Sequence, residues 1–306
     1  MLVTGAGGAA GISVIRALRG LARVVAADAD PTAAGLHLAD RGAVVPLGSS
    51  PEFVGTICRL ARASGATILV CTVVEELLAL GAAVDELTDA GLRCWLPSAG
   101  AVESCTDKWK FARMCADIGA PHPATALGHA PECDPPWIVK PRRGRGSRDT
   151  YLVHDASELH VFLDRVDDPL VQAVLPGREF TIDVLIARDG TLAGASPRWR
   201  VETRGGISTK GVTFASPRLV EAMAALVTAA GLDGPACVQG FADGHQFAFT
   251  EINPRFSGGL ALTLAAGCDL VGEYVRGVAG QPLRPERLVA RPNVAMTRYF
   301  CEAFSG

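Results

Sequence analysis

Glu251, Asn253 and Arg255 occupy alternate positions in FAFTEINPRFSGG (residues 247–259), after an apolar run and just before two glycines. Successive side chains of a β-strand point to opposite faces. A strand through this stretch therefore brings a carboxylate, an amide oxygen and a guanidinium to one face. The first two are hard oxygen donors for a divalent cation, and the third suits an anion. The alternative is a strand end emerging into solvent. Upstream, ACVQGF and the turn ADGH read as the partner strand of a hairpin. Gln239 joins the same face only if the hairpin loop holds an odd number of residues. A loop of Asp243, Gly244 and His245 pairs Gln239 with Phe249 and sets it diagonal to Glu251, roughly 7–8 Å away between backbones. Gln239, Glu251 and Asn253 would then ligate Mg²⁺ (or Mn²⁺), with phosphates and water completing the shell. A two-residue loop would break that phase.

A second cluster follows PPWIVKP. Lys140 closes this predicted strand, and the loop RRGRGSRDT adds Arg142, Arg143, Arg145 and Arg148, with Gly144, Gly146 and Ser147 between them. Cations together with accessible backbone N–H groups are what a triphosphate requires; a solvated basic turn is the other reading. Only four of the 29 basic residues are lysines (108, 110, 140 and 210), so each lysine position is more informative than usual. Near the N-terminus, TGAGGAAG after a strand, with Asp28 ending the next, has the outline of a dinucleotide fingerprint but loose spacing. It is read as a close helix–sheet turn facing a small ligand, with an NAD(P)-binding oxidoreductase as the rival. No GxxxxGK[ST], GxSxG or HExxH pattern occurs.

The elements that must position these residues fall into three units. Residues 1–100 alternate short apolar runs with helical patterns, implying a parallel sheet covered by helices on both faces. The helix PEFVGTICRLARASG opens at Pro51, and VEELLALGAAVDELTDAG is a further helix. Residues 101–170 read as a small α+β unit. It opens with one helix through SCTDKWKFARMCADIG, capped by Thr106 or Asp107, and continues through PPWIVKP, YLVHD and ASELHVFLDRV. Residues 171–306 form a third unit with the strand REFTIDVLIA, the segment TLAGASPRWRVE, the helix PRLVEAMAALVTAAGL, the hairpin and a closing helix, ALTLAAGCDLVGEYVRGVAG.

Composition sets the outer limits. The chain has 306 residues, 49% hydrophobic and 20% charged, enough for two or three cores. A net charge of −3 gives no general pull toward nucleic acid or an anionic membrane. The most apolar stretch, ATILVCTVVEELLALGAAV, carries Glu75 and Glu76 in its middle, so no membrane span is expected. The N-terminus has no basic region or long apolar run typical of a leader. Nine cysteines without a CxxC pair suggest reduced, buried thiols and a cytoplasmic setting.

Five stretches, TDKWKFARMCADIGAPHPAT, PWIVKPRRGRGS, VQAVLPGREFTIDVL, VQGF and TEINPRFSGG, occur in the order and approximate spacing found in ATP-grasp enzymes. The chain resembles the carboxylate–amine ligases of that superfamily, of the type seen in carbamoyl-phosphate synthetase large subunits. The resemblance implies an α/β fold with a Rossmann-like pre-ATP-grasp domain (1–100), a small ATP-grasp subdomain (101–170) and a large one (171–306). It implies that Lys108 and Lys140 contact ATP phosphates and that Arg145, Gly146 and Ser147 form a lid. Gln172 and Val174 would lie beside the adenine and Glu179 at the ribose. Glu251 and Asn253 would bind Mg²⁺, with Gln239 at a position that is glutamine or acidic in relatives. Arg255 would stabilise charge on the transferring phosphoryl group. Arg198 and Arg200, on one strand face, would clamp a substrate carboxylate, near Gly258 and Gly259. The implied activity joins a carboxylate to an amine, or a thiol, through an acyl phosphate, with an amino acid as the acid or the amine. The implied partners are small-molecule acids and amines, in a homodimer, with no nucleic acid or membrane partner. Gln172-Ala173 departs from the glutamate or Gln-Glu of many relatives, which weakens the base contact there. A non-catalytic nucleotide-binding relative is the remaining alternative.

Overall fold

The computed structural model describes residues 1–144, 146 and 148–304. The first unit contains β1 (Leu2–Thr4), α1 (Ala9–Leu18), β2 (Val25–Asp28), α2 (Gly35–Leu38), β3 (Arg41–Val44), α3 (Phe53–Ser64), β4 (Leu69–Val70), α4 (Val74–Ala82) and α5 (Val84–Asp89). Its strands make a parallel sheet in the order β3-β2-β1-β4. Strand alternation accounts for the two-sided packing. Leu2, Val25, Ala27 and Leu69 meet α3, α4 and α5 on one face, while Val3, Ala26 and Val70 meet α1 on the other. The apolar run RCWLP, which reads in the sequence as a last strand of this unit, contributes only a single parallel bridge, Ile68 to Arg93.

The second unit contains α6 (Ala99–Thr106), α7 (Lys108–Asp117), β5 (Thr125–Leu127), β6 (Trp137–Pro141), β7 (Tyr151–Val153), α8 (Ala156–Arg165) and β8 (Pro169–Ala173). The expected helix is α7, and the shorter α6 before it is separated from it by the cap, Asp107. That residue is extended (φ −93°, ψ 104°), and its carboxylate accepts from the backbone N–H groups of Trp109 and Lys110. A capping aspartate starts a new helix more readily than it continues an old one. The sheet order is β5-β8-β6-β7, so Val171, Gln172 and Ala173 pair within the small sheet, past the expected boundary at residue 170.

The third unit contains β9 (Arg178–Ile186), β10 (Leu192–Arg204), β11 (Ile207–Thr213), α9 (Pro217–Ala229), β12 (Gly234–Asp243), β13 (Gln246–Asn253), α10 (Leu260–Ala265), α11 (Leu270–Val278) and β14 (Ala295–Thr297). They build a six-stranded antiparallel sheet, β13-β12-β9-β10-β11-β14. The closing helix divides at Gly267, whose φ of +97° leaves the helical region. α1 packs Val14, Ile15 and Leu18 into the same core as Phe256, Leu260, Val271 and Tyr274, so the first and third units share a hydrophobic interior.

The β12–β13 hairpin corrects the expected loop. Asp243 pairs with Gln246, leaving a two-residue turn, Gly244-His245, and that turn alone would put Gln239 out of phase. The register then shifts between Gly240↔Phe249 and Gln239↔Glu251, with Thr250 as the extra residue of a β-bulge. The bulge restores the phase and sets Gln239 directly opposite Glu251 rather than diagonal to it.

Candidate functional site

Two clefts, of about 340 and about 480 Å³, open on the large sheet. They meet at four residues that line both: Arg200, Gly206, Gln239 and Arg255. The smaller lies between the small and large units. The larger lies between the large unit and the glycine-rich turn of the first unit.

The smaller cleft gathers most of the predicted nucleotide residues: Lys108, Lys140, Gly146, Gln172, Val174, Glu179, Gln239, Glu251, Asn253 and Arg255. Arg145 and Ser147 lie outside the described residues. The Lys140 ammonium makes no hydrogen bond or ion pair among the described residues. Burial pushes its pKa down to about 8, Glu251 opposes that shift and Lys108 adds to it. Lys108 is buried at the start of α7, where its ammonium donates to the Gly144 carbonyl at 3.0 Å. Burial lowers its pKa as well, against Glu251 and Asp107. Two desolvated ammonium groups therefore share one carboxylate in this cleft, an arrangement poised for further negative charge.

The basic loop is only partly directed at a ligand. Arg142 grips Asp107 with Nε and Nη2 at 2.8 and 2.7 Å, and Arg143 reaches the same carboxylate at 2.9 Å. These two arginines tie the loop to the start of α7, whereas Gly144, Gly146 and Arg148 line the cleft. The loop tip rests on the β10–β11 hairpin: a Cβ on Gly206 would come within 2.9 Å of Gly146 Cα. Gly205 and Gly206, the two turn residues, both have positive φ (54° and 73°), as a tight hairpin with the right twist requires.

At the base of the cleft, Asn253 Nδ2 donates to Glu251 Oε1 at 3.0 Å and Arg255 Nη2 to Asn253 Oδ1 at 3.4 Å, so the three share one face as expected. Gln239, Glu251 and Asn253 offer one carboxylate and two amide oxygens. That set fits a Mg²⁺ ion whose remaining ligands come from phosphates and water. No group of three or more His, Cys, Asp or Glu among the described residues suits a metal held by protein alone.

Other expected roles look different in place. Gln172 is buried and its amide donates to Thr125 Oγ1 at 3.0 Å, and the Val174 N–H is directed at the Pro136 carbonyl at 3.4 Å. Glu179 is ion-paired with Arg200 Nε at 2.9 Å, so one oxygen of the expected ribose acceptor is already engaged. Arg198 is 1% exposed and is not a free clamp. Its Nε meets Asp183 Oδ2 at 3.0 Å and its Nη2 donates to Ser257 Oγ at 3.0 Å. Burial alone would raise the Asp183 carboxyl, but Arg198 and the Ser257 and Thr263 hydroxyls outweigh it and hold it below the usual range. Arg198 still borders the larger cleft, and its Nη1 is buried with no partner among the described residues. Its guanidinium lies flat against Gly259, where a Cβ would fall 2.2 Å from Cζ. Arg200 keeps Nη2 on the Gly206 carbonyl at 2.9 Å and faces both clefts.

The larger cleft is lined by Gly5, Gly8, Asp28, Thr72, Glu75 and Glu76 of the first unit, opposite Thr181, Arg198, Arg200, Arg255, Gly258 and Gly259. The glycine turn thus faces a cavity, in keeping with the small-ligand reading. Both Asp28 oxygens are occupied, Oδ2 by the Gly7 N–H at 2.7 Å and Oδ1 by the Asp30 N–H at 2.9 Å, which leaves little for a dinucleotide ribose. Sequence reasoning read Asp107 only as a cap, without its arginine partners, and missed Asp183 and Glu76. It also missed Arg298, which donates to the carbonyls of Gly258 and Ser208 and so fixes the loop after β13. Asp107 carried a readable signal as a cap; the others depend on contacts far apart in sequence.

Residues 165–299 match a family model described as ATP-grasp in the biosynthetic pathway with Ter operon. Among solved structures, the chain is similar to biotin carboxylase from Campylobacter jejuni. The two are 17% identical over 94% of this chain and 73% of that one, with a TM-score of 0.73. It is similar to L-amino acid ligase from Bacillus licheniformis at 17% identity, over 95% of this chain and 77% of that one, with a TM-score of 0.71. It is similar to N5-carboxyaminoimidazole ribonucleotide synthetase from Thermus thermophilus at 22% identity, over 96% and 82% of the two chains, with a TM-score of 0.71. No curated protein matches the sequence.

Proposed function

We propose that this chain is a member of the ATP-grasp superfamily, a reading supported by the family match over residues 165–299 and the shared fold, and that it is an ATP-dependent carboxylate–amine ligase working through an acyl phosphate. The observation that carries the reading is the meeting of the two clefts at Arg200, Gln239 and Arg255. A nucleotide in the smaller cleft and an acid in the larger would place γ-phosphate and carboxylate at that junction.

The chemistry follows from the charges. A carboxylate oxygen attacks the γ-phosphorus, the bond from phosphorus to the β–γ bridging oxygen breaks, and ADP leaves. Lys140 and Arg255 take up negative charge as it develops on the transferring group. Gln239, Glu251 and Asn253 would hold Mg²⁺, which shields phosphate charge when bound. The 141–150 loop, braced at Asp107 and resting on Gly205-Gly206, would exclude water from the acyl phosphate. An amine nitrogen then attacks the acyl carbon, phosphate departs with the former carboxylate oxygen, and the amine proton leaves with it. No protein nucleophile enters the cycle.

Small-molecule acids and amines are the proposed partners, with a homodimer as assembly and the cytoplasm as setting. All nine cysteines are free, and no helix among the described residues is long and apolar enough to cross a membrane. The direct test is phosphate release from Mg-ATP with amino acids and other carboxylic acids, singly and paired with amines. Release that requires both an acid and an amine is expected. Binding of Mg-ATP without turnover across the panel would favour a non-catalytic nucleotide-binding role, and binding of NADP but not ATP would favour the oxidoreductase.

A further inference from the structure

The two walls of the larger cleft carry opposite charge. Arg198, Arg200 and Arg255 stand on the side shared with the nucleotide cleft, and Asp28, Glu75 and Glu76 on the side built by the first unit. Most of these groups have internal partners, so the informative atoms are those left over. On the cationic wall, Thr181 Oγ1 and Arg198 Nη1 are buried without a hydrogen-bond partner among the described residues. Buried polar groups are rarely left so unless a ligand or water completes them.

On the acidic wall the counterpart is Glu76, in the first turn of α4 and 7% exposed. Its Oε2 accepts from the Thr4 hydroxyl and from the Cys71 thiol (3.4 Å), and its Oε1 takes no hydrogen bond among the described residues. No cation pairs with it there. Its surroundings are built around it. Gly48 lies so close that a Cβ would fall 2.7 Å from Glu76 Cγ. Thr72 donates to the Thr4 carbonyl at 2.8 Å, and a Cβ on Gly5 would fall 2.7 Å from its hydroxyl. An unpaired buried carboxylate is costly unless something cationic meets it.

We propose that the larger cleft binds an amino-carboxylate as a zwitterion, its carboxylate toward Thr181 and the arginines at the cleft junction and its ammonium on Glu76 at the wall of the first unit. A cavity of about 480 Å³ has room for an organic molecule rather than a bare cation. This assignment rests on the ligase reading and makes it more specific: the acid that is activated itself carries an amine. That amine is held at the wall opposite the junction and is not the nucleophile, which comes from a second molecule. Such an arrangement selects for amino acids among acids and holds their amine away from the junction, where the incoming nucleophile must reach the acyl carbon.

The charge state of Glu76 gives a second readout. Burial raises its carboxyl to about 7; Thr4 and Cys71 oppose that shift, and Asp28 on β2 and Glu75 on α4 add to it. The ionised form receives the ammonium, so affinity for an amino acid should rise as pH goes from about 6 to about 8, while a deaminated acid should lack that rise.

The experiment uses the full chain with Mg-ATP. It compares L-alanine, L-leucine, L-glutamate, β-alanine and 4-aminobutyrate with their deaminated acids, by phosphate release and by calorimetric binding in the presence of a non-hydrolysable ATP analogue. At least one amino acid should bind about ten-fold or more tighter than its deaminated acid. Glu76→Gln, which keeps the Thr4 contact and can be checked by thermal melting, should reduce that preference toward one and flatten the pH dependence. Turnover of acids with no preference for the amine, or a preference that survives Glu76→Gln, overturns the ammonium site and leaves the ligase reading standing. No turnover with any acid, together with amino-acid binding that Glu76→Gln abolishes, sinks the ligase reading and keeps the site. Should a misfolded Glu76→Gln variant cloud the comparison, the wild-type pH profile decides it, and the same slope with and without the amine overturns the proposal.

Discussion

Lys140 and Arg198 are both cations beside the paired clefts, yet they are built in opposite ways. Arg198 is closed into a network with Asp183 and Ser257. The Lys140 ammonium has no hydrogen-bonded partner among the described residues and only Glu251 as a nearby countercharge. The same contrast separates Arg142 and Arg143, spent on Asp107, from Gly144, Gly146 and Arg148 in the same loop, which face the cleft. A charge that the protein has already neutralised holds structure, and a charge left short of partners is where an anionic ligand gains most.

That distinction can be broken by substitution. The largest effect belongs to Glu251→Gln, which removes the one carboxylate of the proposed metal set and the countercharge for both lysines. Mg²⁺-dependent ATP turnover should fall by on the order of a thousand-fold or more, with the melting temperature nearly kept; wild-type turnover would remove Glu251 from the reaction. Arg198→Ala should act on stability instead, costing about 3–5 kcal/mol because Asp183 is left buried and unpaired. Denaturant unfolding measures this, and a stably folded variant that has lost only affinity for the acid would restore the simple clamp. Lys140→Ala should lower kcat by a factor on the order of ten to a thousand with little loss of stability, as expected for one positioned electrostatic donor. Because burial holds Lys140 near 8, its charge is present below that pH and lost above it. The apparent KM for ATP should therefore climb above pH 8 in the wild type, and the variant should lack that climb.

Much of this was legible in the residues. The alternation of Glu251, Asn253 and Arg255 predicted a shared face, and their hydrogen bonds follow it. Lys108, Lys140 and Gly146 were assigned to one cleft from loop chemistry and resemblance, and they line it together. Gln239 and Glu251 do share a face, but the expected three-residue loop and the pairing of Gln239 with Phe249 were wrong. Turn residues alone cannot reveal a bulge at Thr250, because a bulge changes hydrogen-bond phase without any change in composition. The Asp107 cap was read, but the separate helix before it and the helix breaks at Ala83 and Gly267 were passed over.

Strand periodicity and the types of residue at strand ends, both local properties, were enough for the alternating β-α character of the first unit and the chemistry gathered after β13, though not for α2 or the division of α4 from α5. Which charges are free was decided only by the tertiary structure. The pairing of Arg198 with Asp183 spans 15 residues, that of Arg142 with Asp107 spans 35, and the Thr4–Glu76 contact spans 72. Whether a guanidinium or carboxylate awaits a ligand depends on desolvation and on partners brought in from other strands and helices, and no local pattern encodes those.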